Sequence, residues 1–122
     1  MILSYFEIPT RNIERAQEFY ESVFLIDLID KDTSYSKEKI FSLTGNVHEA
    51  IGALVHDDFH KVSEEGVLIY FKVHDVLEKF IKRIEHLGGK MIIAPTPIDA
   101  GSGHYCIFRD TEGNRIGIHS NH

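Results

Sequence analysis

The chain has 122 residues, of which 43% are hydrophobic and 26% are charged, and its formal net charge at pH 7 is −6. This length and balance predict one globular domain over residues 1–122 and exclude two independent cores. The negative charge, with no basic stripe to offset it, argues against nucleic-acid and anionic-membrane partners.

The first half of the chain predicts a strand, a helix and three more strands. Residues 3–8 predict a half-buried strand, in which Phe6 and Ile8 share one face and only Leu3 breaks the alternation; Pro9 ends the pattern. Apolar residues at helical spacing predict a helix over residues 13–23, with Asn12 as its N-cap. The remaining predicted elements are strands over 25–32, 40–44 and 50–55 and turns at 33–39 and at Gly45 and Asn46.

A polar segment over residues 57–66 separates the halves, and the second half repeats the same order. Residues 67–73 are rich in β-branched and aromatic side chains and predict a strand. Asp75 and Glu78 have the spacing of a capping box, and Gly88 is predicted to end the helix that follows. The remaining predicted strands are 91–94, bounded by Pro95 and Pro97, then 105–108, and a last strand that carries Ile116 and Ile118.

The repetition is visible in residues as well as in pattern. A shift of 63 residues places Phe6 on Ile69 and Asn12 on Asp75. We therefore predict an α+β fold of two βαβββ modules, about 1–56 and 66–120, each with one helix on one face of its sheet. The opposite, apolar sheet faces are costly to leave in water, so we expect them to be buried together or curled around a cavity.

Several motifs occur in the same order as in one known family. Together they resemble the vicinal oxygen chelate superfamily of glyoxalase, bleomycin-resistance and dioxygenase proteins, and the resemblance covers nearly the whole chain. It implies paired βαβββ modules in a curved, mostly antiparallel sheet around a cavity, often in a homodimer, which we expect here. The motifs are Tyr5-Phe6-Glu7-Ile8-Pro9, the segment 19–24, Val73-His74-Asp75-Val76, Leu87-Gly88-Gly89 and the turn 110–114, with Thr111 in place of the family's proline.

The resemblance also implies where a metal would bind. Metal-dependent members place one ligand on each of four strands, and the matching positions are Tyr5, Ala53, Leu68 and Gly117. These side chains lack the carboxylate, imidazole and thiolate groups that divalent ions prefer. We therefore predict no metal and no other cofactor, and do not expect glyoxalase I or ring-cleaving dioxygenase activity. A chance metal site in a loop, made by His56, Asp57, Asp58 and His60, is the alternative.

Strand alternation identifies the side chains that remain on the same sheet faces. Glu7 and His119 are predicted as catalytic general bases, because a carboxylate can accept a proton and a histidine side chain has a reference pKa close to neutral. The structural alternatives are an ion pair between Glu7 and Arg115, a frayed C-terminus at His119, and plain cavity lining for the tyrosines. Cys106 is predicted to pack in the core. The predicted ligand-binding residues are Tyr5, Leu68, Tyr70, Tyr105, Arg115 and Gly117.

Three functions remain open from the sequence. The first is binding of a small organic molecule without the usual metal. The second is a lyase or isomerase that uses Glu7 or His119 as its base. The third is a drug-sequestering protein of the bleomycin-resistance type, in which an acidic, aromatic groove holds a cationic aromatic compound.

With one cysteine, no visible signal peptide and no membrane-length apolar run, we expect a cytoplasmic protein without a membrane partner.

Overall fold

The computed structural model describes residues 1–122 and divides the chain into two compact units. Module one is Met1–Val62 and module two is Ser63–His122, so the boundary falls inside the predicted polar segment. Neither module contains a helix with the length and apolar character needed to cross a membrane.

Module one is a four-stranded sheet with one long helix. The sheet order is β1-β4-β3-β2, with β1 parallel to β4 and the other neighbours antiparallel. A single 3-10 turn, Val47–Glu49, precedes the last strand. The elements are β1 (Phe6–Pro9), α1 (Ile13–Phe24), β2 (Ile29–Asp30), β3 (Lys37–Ser42) and β4 (Ala50–His56).

Module two has the same order of elements and the same topology. Its sheet order is β5-β8-β7-β6, with β5 parallel to β8 and the other neighbours antiparallel. This agreement confirms the predicted α+β fold of two βαβββ modules. The elements are β5 (Tyr70–Val73), α2 (Leu77–His86), β6 (Lys90–Pro97), β7 (His104–Arg109) and β8 (Arg115–Ser120), with a 3-10 turn at Asp99–Gly101.

Helix α1 forms as predicted. The side chain of Asn12 accepts a hydrogen bond from the backbone N–H of Arg15 at 3.0 Å, which satisfies one free donor of the first turn. The ring of Tyr20 meets the ring of Phe41 edge-on, with centroids 5.8 Å apart, so this side of the sheet faces the helix. The buried residues of α1 are Ile13, Ala16, Phe19, Tyr20 and Val23.

Helix α2 begins later than predicted. Its N-cap is Val76, which has no side chain able to cap, so the capping box predicted at Asp75 is wrong. The carboxylate of Asp75 instead accepts from the N–H of Val76 and from Lys79. The predicted end is confirmed, since Gly88 adopts the left-handed conformation with φ of 95°. The buried residues of α2 are Leu77, Phe80 and Ile84.

Several strand boundaries differ from the prediction. The strand predicted over 25–32 is reduced to β2, because Leu25 ends α1 in a left-handed conformation. Residues 37–39, predicted as a turn, belong to β3, and the strands predicted over 3–8 and 67–73 are shortened to β1 and β5. Pro95 and Pro97 lie inside β6 rather than bounding it. They are tolerated because β6 is an edge strand whose pairing with β7 shifts register.

The sheet of module two has two different faces. One face packs under α2 and is apolar, with Cys106, Phe108, Ile116 and Ile118 buried. Burial, and to a smaller extent Glu78, raises the pKa of the Cys106 thiol to about 11, so it is a protonated core residue as predicted. We call the opposite face the tyrosine face; it carries Tyr70, Tyr105, Ile107, Arg109, Arg115, Gly117 and His119.

Candidate functional site

An open pocket of about 380 Å³ lies on the tyrosine face and is lined by Tyr70, Ile98, Tyr105 and His119. Strand register brings these residues together. Tyr105 of β7 is the direct partner of His119 on β8, and Tyr70 of β5 is the partner of Gly117 two residues earlier on β8. The sequence predicted all of these site residues except Ile98, which lies in the segment between β6 and β7.

Gly117 determines where the ring of Tyr70 lies. A β-carbon added at Gly117 would overlap ring carbons Cδ1 and Cε1 of Tyr70, so a residue with a side chain would displace the ring. The ring also meets Tyr105 edge-on, with centroids 6.2 Å apart and an interplanar angle of 72°. Glycine at this position therefore lets an aromatic ring lie across the sheet and form one wall of the pocket.

His119 is held inside β8, so the alternative of a frayed C-terminus is wrong. Its backbone pairs with Lys72 and Tyr105, and its Nε2 lies 2.8 Å from the carbonyl oxygen of Ser102. A carbonyl oxygen only accepts, so Nε2 is the donor and carries the proton. In the neutral ring Nδ1 then holds the lone pair, which is the chemical requirement for a base.

Arg115 lies on the same face, toward its other end. Its Nη2 is 3.5 Å from the carbonyl oxygen of Gly66, at the limit of a hydrogen bond. Register places Arg115 directly opposite Arg109, and Arg109 directly opposite Lys90 on β6. Leu68 precedes β5 and is half-buried. We call Lys90, Arg109 and Arg115 the basic row; sequence analysis singled out only Arg115 because cross-strand register was needed to find the other two.

Glu7 of module one has a partner that sequence analysis missed. Its Oε1 lies 2.9 Å from Nε2 of His60, and Nδ1 of the same ring lies 2.9 Å from both carboxylate oxygens of Asp57. Ionised carboxylates only accept hydrogen bonds, so both ring nitrogens donate and His60 is an imidazolium. The predicted base Glu7 is therefore held in an ion pair within its own module.

The electrostatics around His60 agree with this geometry. Partial burial lowers the pKa of His60, but the hydrogen bonds that its ring donates to the carboxylates of Glu7 and Asp57 outweigh burial, and the pKa is raised. The backbone N–H and then the ring of His60 lower the pKa of Asp57 to about 2.

The pKa of the Tyr5 phenol is raised, first by burial and then by the charges of Glu38 and Glu7. Tyr5 lies just before β1 and is partly exposed.

The sequence model of the Glyoxalase/Bleomycin resistance protein/Dioxygenase superfamily matches residues 2–118. The chain belongs to this superfamily. The match confirms the resemblance drawn from the motifs. No curated protein sequence matches the chain significantly.

Solved structures of the superfamily share the fold. FosX of Listeria monocytogenes, a fosfomycin resistance protein, superimposes with a TM-score of 0.69 at 16% identity over 98% of this chain and 93% of its own. TnmS3, an antibiotic binding protein from Streptomyces, gives a TM-score of 0.66 at 21% identity, over 98% of this chain and 95% of its own. A maize glyoxalase I mutant gives a TM-score of 0.71 at 20% identity. The match covers 98% of this chain and 46% of the maize chain.

The four positions that hold metal in metal-dependent members do not fit a divalent ion here. Ala53 is fully buried in an apolar cluster with Ile40 and Val55, and Gly117 lies under the ring of Tyr70. No three His, Cys, Asp or Glu side chains are grouped for metal binding anywhere in the structure. The alternative metal site, in the loop that carries Asp57 and His60, also lacks a converging set of ligands. Both ring nitrogens of His60 are already bound, one to Glu7 and the other to Asp57.

Proposed function

We propose that module two binds a small organic molecule on the tyrosine face, without a metal at the family's usual position. The observation that supports the proposal is the open pocket of about 380 Å³ between Tyr70, Tyr105, Ile98 and His119. Its volume is in the range of small-molecule sites, which join apolar walls to a few polar groups. Two tyrosine rings supply stacking surface, and His119 supplies a polar atom beside them.

Known functions of similar folds support a protective role. FosX is a fosfomycin resistance protein and TnmS3 is an antibiotic binding protein, so this fold serves antibiotic resistance and antibiotic binding in other organisms. We propose sequestration of a toxic small molecule as the simplest physiological use of the pocket, since sequestration needs binding and no chemistry.

A soluble aromatic probe tests the proposal. We expect 2-naphthalenemethanol to bind saturably, with chemical-shift changes confined to residues of the pocket. Tyr70→Ala and Tyr105→Ala remove the aromatic walls and should each weaken binding about tenfold. Tyr35→Ala is the matched control, because Tyr35 is exposed in module one. Equal loss in the control, or tight binding of one equivalent of Ni²⁺ or Zn²⁺, would contradict the proposal.

A lyase or isomerase is the second candidate, and the geometry of His119 favours it. The bond from Nε2 to Ser102 leaves Nδ1 as the lone-pair nitrogen of a residue that lines the pocket. Glu7 is the weaker candidate base because it must first leave His60. Deuterium exchange at the acidic C–H of phenylacetone tests this function: His119→Gln should abolish catalysed exchange and Glu7→Gln should not. A wild-type rate equal to that of buffer would rule out this function for the probe.

We further propose that the protein forms a homodimer in the cytoplasm. Strand β6 is an eight-residue edge strand, and Ile92 and Ile93 on it are exposed, which leaves apolar surface and unpaired backbone for a second copy. Light scattering coupled to gel filtration gives the mass directly. A monomer at all concentrations would contradict the proposal, and Ile92→Glu should shift a dimer toward monomer.

A further inference from the structure

We infer that the ligand of module two is an aromatic molecule that carries an anionic group, with the anion held by the basic row of Lys90, Arg109 and Arg115. The inference rests on the proposed function, since it assigns a ligand class to the same face. It differs from the cationic aromatic compound expected from the negative net charge of the whole chain.

Register places three positive side chains side by side on three adjacent strands. Lys90 is the direct partner of Arg109, and Arg109 is the direct partner of Arg115. Directly opposite residues on antiparallel strands share a face, with β-carbons about 5 Å apart, and like charges in such pairs repel. The row therefore has an electrostatic cost that a bound anion would relieve.

The groups that meet the basic row inside module two do not balance it. Nε of Arg109 lies 2.6 Å from Oε1 of Glu64, an ion pair in which both side chains are partly exposed. Arg115 meets a carbonyl oxygen, that of Gly66, at 3.5 Å, and its Nε is buried without a hydrogen-bond partner. One carboxylate thus faces three cations, and the guanidinium of Arg115 retains donors for another acceptor.

The basic row and the aromatic pocket lie on one continuous face. Arg115 and Gly117 are two residues apart on β8, about 7 Å along a strand, and Gly117 lies under the ring of Tyr70. An aromatic ring packed against Tyr70 and bearing a carboxylate, phosphonate or phosphate would place its anion at Arg115. Guanidinium groups bind such oxygens in a bidentate manner, which fixes orientation as well as charge.

The local charges outweigh the net charge of the chain at this distance. In physiological salt, exposed charges beyond about 8 Å are largely screened, whereas contacts within hydrogen-bond range are not. The net charge of −6 therefore affects long-range attraction, and the basic row determines which group is accepted once a ligand is in place.

Three naphthalene probes of nearly equal size test the inference: 2-naphthoate, neutral 2-naphthalenemethanol and cationic 2-naphthylmethylammonium, titrated by NMR at low and at physiological salt. We expect naphthoate to bind at least about tenfold tighter than the alcohol. Arg115→Gln should weaken naphthoate binding to about the level of the alcohol. Lys82→Gln is the matched control, because it removes the same charge from an exposed position on α2.

Two further variants protect the test from a folding artefact. Arg109→Gln should also weaken naphthoate, and Glu64→Gln should strengthen it by removing the competing carboxylate. Equal binding of all three probes would overturn the anion inference and leave the proposed function intact. Preference for the ammonium probe would overturn it in favour of a cationic ligand. Binding of none of the probes would overturn the inference together with the proposed function.

Discussion

The two modules share one topology and differ in the sheet face opposite the helix. Glu7 of module one corresponds to Tyr70 of module two under the 63-residue shift, and their partners on the neighbouring parallel strand are Ala53 and Gly117. Ala53 is buried in an apolar cluster, and Glu7 is paired to His60. Gly117 instead lies under the ring of Tyr70, a residue that is 48% exposed. The same backbone therefore carries core packing in one module and a pocket wall in the other, according to side-chain size and polarity.

The largest expected difference concerns the apolar residues of these two faces. Ile40→Ala removes a side chain that is 1% exposed from the cluster with Ala53 and Val55, and should cost about 2–5 kcal/mol of unfolding free energy. Ile93→Ala on β6 is the matched control, because Ile93 is 38% exposed and its truncation should cost about 1 kcal/mol or less. Urea unfolding measures both. Similar losses would mean that the faces are packed alike.

Glycines under aromatic rings give the next largest effect. Gly52→Ala would push a β-carbon into the ring of Phe6, which packs against Phe41, and should cost about 1–3 kcal/mol. Gly117→Ala would meet the exposed ring of Tyr70, which can swing aside. We expect it to change stability less and to weaken naphthyl-probe binding more. Urea unfolding and NMR titration of both variants measure this; a larger stability loss at Gly117 would contradict it.

The helix N-termini give a smaller contrast. Asn12→Ala removes the side-chain cap of α1 and should cost about 1 kcal/mol. Val76 occupies the N-cap of α2 and makes no side-chain bond, so Val76→Ala should cost clearly less. Thermal unfolding of the two variants compares them, and an equal loss would show that the cap at Asn12 is not stabilising.

The pH dependence of stability gives the smallest effect. The folded-state pKa of His60 is raised, so its contribution is fully present below the unfolded value of about 6.5 and is lost as pH rises through the folded value. The free energy of unfolding should therefore fall as pH rises above about 6.5, by less than about 1 kcal/mol, and the melting temperature should fall with it. His60→Gln should flatten this decline. His48→Gln should retain it, because the exposed His48 bonds only through its backbone N–H; the opposite result would place the titration elsewhere.

Much of the candidate site was predicted from alternation along single strands. Period-two alternation placed Tyr70 and Tyr105 on one face with His119, because side-chain direction depends only on position within a strand. Lys90 and Arg109 were missed because they join Arg115 only through register between β6, β7 and β8. His60 was missed as the partner of Glu7 because the two residues are 53 positions apart and meet through a loop.

The sequence by itself determined the order of elements, the repeat and the family, because hydrophobic periodicity and turn residues act over a few neighbours. It also determined that Ala53 and Gly117 carry no metal-binding side chain. Only the tertiary structure decided that β2 is short, that two prolines fit inside β6, and that Asp75 does not cap α2. It also decided that the ring of Tyr70 lies over Gly117 and that the three side chains of the basic row lie side by side. The positions of the prolines, of the ring over Gly117 and of the three cations depend on pairing between distant strands, where register and the space left by neighbours outweigh local preference.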